Sequence, residues 1–174
     1  MPSALVLTPP PTRRRFLAGA AALAGAAAAT GLGAGRLLAQ AQKVDKGPPL
    51  DAERVRTFVA AAHGDLDKTR ALLEATPALD NATWDWGGGD WETGLGGAAH
   101  MGNAPIARFL LERGARMDVF AAAMLGELAI VREFLTFDPA VARLRGPHGI
   151  PLLRHAAAGN QEAVAALLRA HGAE

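Results

Sequence analysis

The sequence predicts an all-α domain built from about four helix-turn-helix units. A repeated pattern carries this prediction: small residues precede a glycine, and two bulky apolar residues follow it at the eighth and ninth positions. Four glycines share this pattern, namely Gly64, Gly102, Gly126 and Gly159. Small side chains let helices pack closely, and glycine permits a tight turn between them. Because one such unit cannot bury its apolar face alone, neighbouring units are expected to stack.

The second unit shows the pattern best. After its turn at Gly102, the residues Ile106, Phe109 and Leu110 have the spacing of an amphipathic helix, and a Gly-Ala pair then ends the unit. The first unit begins at Asp51, which has the side chain of a helix N-cap. The predicted units span about residues 51–80, 93–117, 118–142 and 150–174.

These residues resemble the ankyrin repeat family. In that family a Thr-Pro-Leu-His opening leads into an alanine-rich inner helix, a glycine turn, a Leu-Leu outer helix and a closing Gly-Ala. Residues 93–96 and 150–153 occupy the opening position, and residues 98–115 give the best copy of the remainder. The resemblance covers about residues 51–174. It implies an ankyrin-like helical repeat solenoid whose loops, called fingers, and inner helices bind a partner protein.

The segment before these units has the features of an export signal. Residues 12–17 read Thr-Arg-Arg-Arg-Phe-Leu, which resembles the twin-arginine motif, and a mild apolar run and an Ala-Gln-Ala cleavage site follow. Residues 1–41 are therefore expected to be a removed signal peptide that directs the protein to the periplasm, with residues 42–50 as a linker. The alternative is a membrane anchor over residues 16–35, if the leader stays uncleaved.

Composition excludes several classes of function. Residues 1–41 hold four of the 18 basic residues and no acid, so the rest of the chain has 14 basic and 17 acidic residues and no basic patch for nucleic acid. There is no cysteine, and Ser3 in the leader is the only serine. Disulfides, thiolate metal sites and a mature serine or cysteine nucleophile are thus excluded. A protein that is not an enzyme is expected.

The units depart from a regular repeat between their helices. The turn glycines are 38, 24 and 33 residues apart, so the first gap holds an insertion and the second has lost its finger. A long finger beside a missing one predicts a notch between the finger before the second unit and the finger before the fourth. The insertion, residues 81–92, contains all three tryptophans.

This insertion is the candidate partner-binding surface, because exposed tryptophans often anchor protein partners. The candidate residues are Trp84, Asp85, Trp86, Asp90, Trp91, His100 and His148. In the alternative interpretation, the indoles fasten the loop to the helices, and Asp90 or Glu92 caps the helix that begins near Thr93.

A metal site is a second possibility in the notch. His100, His148 and His155, with Asp85 or Asp90, could face one groove and would suit zinc. No two of these histidines have a local ligand spacing, so neither a metal nor another cofactor is expected. His63 and His171 are interpreted as structural residues at helix ends. The alternative function is that of a small-molecule or metal-binding accessory protein, and a third hypothesis is a hydrolase with Asp85 or Asp90 as its base.

Overall fold

The computed structural model of the chain describes residues 47–174, which fold mainly into α-helices. The predicted all-α class is confirmed for these residues. The predicted signal peptide, residues 1–41, and the first part of the linker lie outside them. The helices follow one another as four hairpins: α1 (Ala52–Ala61) and α2 (Leu66–Ala75), α3 (Gly94–His100) and α4 (Ala104–Glu112), α5 (Val119–Leu125) and α6 (Leu128–Phe137), and α7 (Leu152–Ala158) and α8 (Glu162–Ala170).

All four predicted turn glycines lie in the turns of these hairpins. Gly102 and Gly126 have φ angles of +70° and +81°, which favour glycine. Gly159 is required for a different reason. Its φ is negative, but a Cβ atom on it would overlap the carbonyl oxygen of Met124, because the end of α7 packs directly on the end of α5.

Side chains before the helices cap their first turns. The predicted cap Asp51 is confirmed, since its carboxylate accepts a hydrogen bond from the backbone N–H of Arg54 at 2.8 Å. The prediction that Asp90 or Glu92 caps α3 is wrong. Thr93 does so, accepting from the N–H of Gly96 at 3.0 Å. Both carboxylates are therefore available for other contacts.

The first helices of the hairpins pack together around α5. Helix α1 contacts α3, α3 contacts α5, and α5 contacts α7. Six of the seven residues of α5 are buried, many of them alanines that allow the close approach. Helix α3 also contacts α7 directly. This contact would not occur in a strictly linear stack, where each unit touches only its neighbours.

The contact between α3 and α7 brings two fingers together. The first is a hairpin of two antiparallel strands, β1 (Thr83–Asp85) and β2 (Trp91–Thr93), that precedes α3. The second is a 3₁₀ turn, Pro147–Gly149, that precedes α7. Residues 113–118 connect α4 to α5 without a strand or helix, so α5 has no finger. Because α3 and α7 touch and no finger separates them, the two fingers come into contact.

No helix in the described part of the chain combines the length and apolar character needed to cross a membrane.

Candidate metal centre

Three histidines and one glutamate converge where the two fingers meet the ends of α1 and α3. His63 follows α1, His100 is the last residue of α3, Glu92 lies on β2 and His148 lies in the 3₁₀ turn. Each offers one potential ligand atom, and all four atoms lie within 4.8 Å of one another. We call these four residues the His₃Glu cluster.

The Glu92 carboxylate is the centre of the cluster. Its oxygens lie 3.3 Å from Nε2 of His63, 3.1 Å from Nε2 of His100 and 3.5 Å from Nε2 of His148. Trp86 donates its indole N–H to Oε2 at 2.7 Å. The carboxylate has no solvent exposure. A buried carboxylate is costly unless it is paired, so this position requires the partners that surround it.

The electrostatic environment favours the ionised form of Glu92. Burial raises the pKa of Glu92, but the contacts with His100, His63 and Trp86 more than offset burial, and the pKa is lowered. The contact with Glu92 in turn raises the pKa of His63, against the effect of its partial burial. The cluster therefore holds a negative charge that attracts a cation, whether a proton or a metal ion.

Two atoms of the cluster lack hydrogen-bond partners among the described residues. Oε1 of Glu92 and Nε2 of His100 are both buried and face each other at 3.1 Å, yet neither makes a hydrogen bond of acceptable geometry. Buried polar atoms without partners are rare in native proteins and often mark a site for an ion or water. A bound ion or water would give this pair of atoms the partner that each of them lacks.

Groups outside the cluster orient two of its histidines. Nδ1 of His63 lies 2.9 Å from the carbonyl oxygen of Val59, and Nδ1 of His148 lies 2.8 Å from Oδ2 of Asp90. Both acceptors require a proton on Nδ1, so neutral imidazole presents the lone pair of Nε2 to the cluster. Such outer contacts accompany nearly all metal-binding histidines.

The distances from the carboxylate to the three histidines are close to those between the ligands of a metal site. Ligands about 2.0–2.1 Å from a tetrahedral zinc ion lie about 3.4 Å apart. The Nε2 atoms lie 3.1–3.5 Å from the carboxylate oxygens. A set of three imidazoles and one carboxylate suits Zn²⁺ and neighbouring first-row metals rather than Mg²⁺ or Ca²⁺. The side chains of His148 and His63 are 33% and 25% exposed, which gives an ion an entry route.

The structure brings together part of the predicted candidate surface. His100 and His148 belong to the cluster, and Trp86 and Asp90 contact it. The other candidates lie elsewhere. Trp84 packs against the core, the Asp85 carboxylate accepts hydrogen bonds from Gly87 and Gly89, and Trp91 is 60% exposed.

His155, a candidate ligand in the sequence, is not part of the cluster. Its Nδ1 lies 3.0 Å from the carbonyl oxygen of Pro151, and its ring packs on Phe120 with a centroid separation of 4.9 Å. Burial lowers its pKa. It is a core residue of the last two hairpins.

Sequence reasoning missed two members, His63 and Glu92. His63 does end a helix with a backbone contact, as expected, but its second nitrogen faces Glu92. A signal was present in the pattern: His63 and His100 lie one and two residues before their turn glycines, at matching ends of two stacked helices. Glu92 gave no such signal, because a glutamate between Trp91 and Thr93 does not look buried.

Comparison of the sequence with known protein families and with curated proteins finds no match. The geometry of the cluster must therefore carry the functional argument.

Proposed function

We propose that this chain is a metal-binding protein in which the His₃Glu cluster holds one divalent transition-metal ion, most readily Zn²⁺. The observation that carries the proposal is the convergence of three Nε2 atoms on a buried carboxylate, each 3.1–3.5 Å from one of its oxygens, with the four potential ligand atoms all within 4.8 Å of one another. The outer contacts of His63 and His148 support it, because they fix the tautomers that a metal requires. The proposal departs from the expectation, drawn from the sequence, that no metal is bound.

The proposed scaffold is an ankyrin-like solenoid of four units that is exported to the periplasm. Serial contacts of α1, α3, α5 and α7 support the scaffold. The twin-arginine-type motif of residues 12–17 supports the export. The contact between α3 and α7 makes this solenoid more tightly closed than a linear one, and this closure brings the metal ligands of the two fingers together.

Zinc titration of the purified full chain tests the proposal. After treatment with a chelator and its removal, isothermal titration calorimetry should show binding of one Zn²⁺ per chain. His63→Ala and His100→Ala should each weaken binding at least tenfold, because each removes one of four ligands. His171→Ala is the matched control, since His171 makes the same backbone contact to a carbonyl four residues earlier but lies outside the cluster.

Two results would reject the proposal. Zinc binding that is absent from the wild-type chain, or that is unchanged in both cluster variants, would show that the cluster is a hydrogen-bonded network only.

A second function, binding of a partner protein, has its own support. Strand β2 turns Trp91 outward, and this indole borders a groove of about 430 Å³ together with Met117, Phe120 and Phe134. Exposed aromatic residues of this kind are typical anchors of protein interfaces. Trp91→Ala should abolish co-purification of a periplasmic partner while circular dichroism and zinc affinity stay unchanged. Retained co-purification would exclude this surface.

A further inference from the structure

The indole of Trp86 holds one of the two carboxylate oxygens of Glu92. Its N–H donates to Oε2 at 2.7 Å, which is at the short end of the range for a hydrogen bond to a carboxylate. The backbone keeps the indole in place, because the N–H of Trp86 donates to the carbonyl oxygen of Asp90 at 3.0 Å and closes the turn of the first finger. The finger therefore presents the indole N–H to Glu92 from a fixed position.

The other oxygen of Glu92 has a different environment. Oε1 is buried and faces Nε2 of His100 at 3.1 Å, and neither atom makes a hydrogen bond within the range 47–174. An ion bound to Oε1 would also give His100 its missing partner. An ion bound through Oε2 would instead compete with the indole for that oxygen. The hydrogen-bond pattern thus favours Oε1 as the metal ligand and leaves Oε2 to Trp86.

One coordinating oxygen sets the number of protein ligands at four. Three imidazole nitrogens and one oxygen form the tetrahedral set that zinc prefers, whereas a carboxylate bound through both oxygens would add a fifth ligand. Mn²⁺ prefers a larger, octahedral set that is rich in oxygen. To bind an ion through both oxygens, the Glu92 carboxylate would have to turn and disturb its 2.7 Å hydrogen bond with Trp86. The indole N–H therefore opposes a higher coordination number.

The indole ring also lies on the exposed side of the cluster. Its centroid is 6.1 Å from the ring of His63 and 6.1 Å from the ring of His148. These two side chains are 25% and 33% exposed, whereas that of His100 is 8% exposed. The ring thus occupies part of the side from which a water molecule would approach the ion as an additional ligand.

We infer that Trp86 is a specificity residue of the metal site: by holding Oε2 of Glu92, it limits the protein ligands to four and favours Zn²⁺ over Mn²⁺. The inference rests on the proposed metal binding, and it adds the class of ion that the site selects. Trp86 is a positioning residue, because it acts through Glu92 and is not itself a ligand.

Trp86→Phe tests the inference, since it removes the indole N–H and keeps an aromatic ring. The zinc affinity of the full chain should fall about tenfold, because Glu92 loses its outer contact. The manganese affinity should stay the same or rise, because the carboxylate can then bind through both oxygens. The ratio of zinc to manganese affinity should therefore fall about tenfold or more. Competition with a chromophoric chelator measures both affinities.

Cobalt reports the coordination number directly. Tetrahedral Co²⁺ absorbs visible light more strongly than Co²⁺ with five or six ligands. At saturation, the wild-type chain should show the intense tetrahedral spectrum, and Trp86→Phe should show a weaker one. A general loosening of the fold would lower the affinity for all three ions without this change. The cobalt spectrum also decides the case in which manganese binds either protein too weakly to measure.

Trp84→Phe is the matched control in the same hairpin. Trp84 lies directly opposite Glu92 in the strand pairing and packs against the core. Its indole N–H makes no hydrogen bond with other residues in the range 47–174. This variant therefore makes the same substitution next to Glu92 without removing a contact to the carboxylate. Its ratio of zinc to manganese affinity should stay within about twofold of wild type.

Three outcomes would overturn the inference. The first is an equal loss of zinc and manganese affinity in Trp86→Phe, or an unchanged cobalt spectrum in that variant. The second is the same change of ratio in Trp84→Phe. The third is a wild-type cobalt spectrum that is not tetrahedral. If wild-type zinc binding is normal, each of these overturns this inference alone, whereas failure of the wild-type chain to bind zinc would overturn the proposed function as well.

Discussion

Replacement of Asp90 by asparagine should weaken zinc binding without removing a ligand. The Asp90 carboxylate makes two contacts with His148: Oδ1 accepts the backbone N–H at 2.8 Å, and Oδ2 lies 2.8 Å from Nδ1 of the ring. In Asp90→Asn, the amide oxygen can keep the backbone contact, but the NH₂ group then faces Nδ1 and can only donate. The proton of His148 must move to Nε2, which is the atom that would bind the metal. A flipped amide only transfers the mismatch to the backbone N–H.

The magnitude follows from the role of such outer contacts. Loss of a carboxylate partner of a metal-bound histidine typically reduces metal affinity about 10- to 100-fold, or about 1.4–2.7 kcal/mol. The reduction should be smaller than the loss caused by His100→Ala, since all four ligands remain. The fold should be unaffected, because both Asp90 and His148 lie in the fingers rather than in the core.

Competition with a chromophoric zinc chelator at neutral pH measures the effect. Asp85→Asn is the matched control in the same hairpin. Asp85 accepts hydrogen bonds from the N–H groups of Gly87 and Gly89 through one oxygen, which an asparagine carbonyl can replace. Its zinc affinity should stay within about twofold of wild type. Unchanged affinity in Asp90→Asn, or an equal loss in both variants, would refute the assignment of Asp90 as the orienting group.

Three further predictions concern stability, each measured by urea unfolding of the metal-free chain. Folding lowers the pKa of Glu92, so the ionised carboxylate stabilises the fold at pH values above its unfolded pKa of 4.5, and this stabilisation is lost as the pH falls below that value. The free energy of unfolding should therefore decrease less between pH 5 and pH 3 in Glu92→Gln than in the wild type. An equal decrease in both proteins would contradict this assignment. Gly159→Ala should destabilise the fold by about 1–3 kcal/mol because its Cβ atom would overlap Met124. Gly64→Ala should be nearly neutral, because there is open space around Gly64. Similar losses of stability in the two variants would rule out the close contact between α5 and α7. Leu110→Ala should cost about 2–5 kcal/mol because this side chain is fully buried, and a loss below 1 kcal/mol would be too small for a core position.

The helical part of the fold could be predicted from the sequence because its signals are local. A glycine at each turn, small residues before it and apolar residues at helical spacing after it all act within one hairpin, and the turns at Gly102 and Gly126 lie where the pattern places them. The N-cap at Asp51 is equally local. Such features depend on the backbone conformation of a few neighbouring residues, which the chain encodes directly.

The candidate site could be predicted only in part, because long-range packing assembles it. His100 was recognisable as a residue of an inner helix and His148 as a residue of a finger, but the contact between them depends on the packing of α3 against α7. The alternation of β2 then points Trp91 to solvent and Glu92 inward, which is the reverse of what hydropathy suggests. Only the surrounding imidazoles and the Trp86 indole make a buried carboxylate acceptable here, and the sequence does not show that they converge.

The contact between the two fingers joins residues far apart in the chain, and this has a consequence for biosynthesis. Asp90 and His148 are 58 residues apart in the chain, and the four helices α3, α4, α5 and α6 lie between them. During translation, His148 therefore leaves the ribosome only after the other three residues of the cluster and the helices α3 to α6. An ion bound by all four side chains would therefore mark a molecule in which the first three hairpins and both fingers have already been synthesised and have packed together.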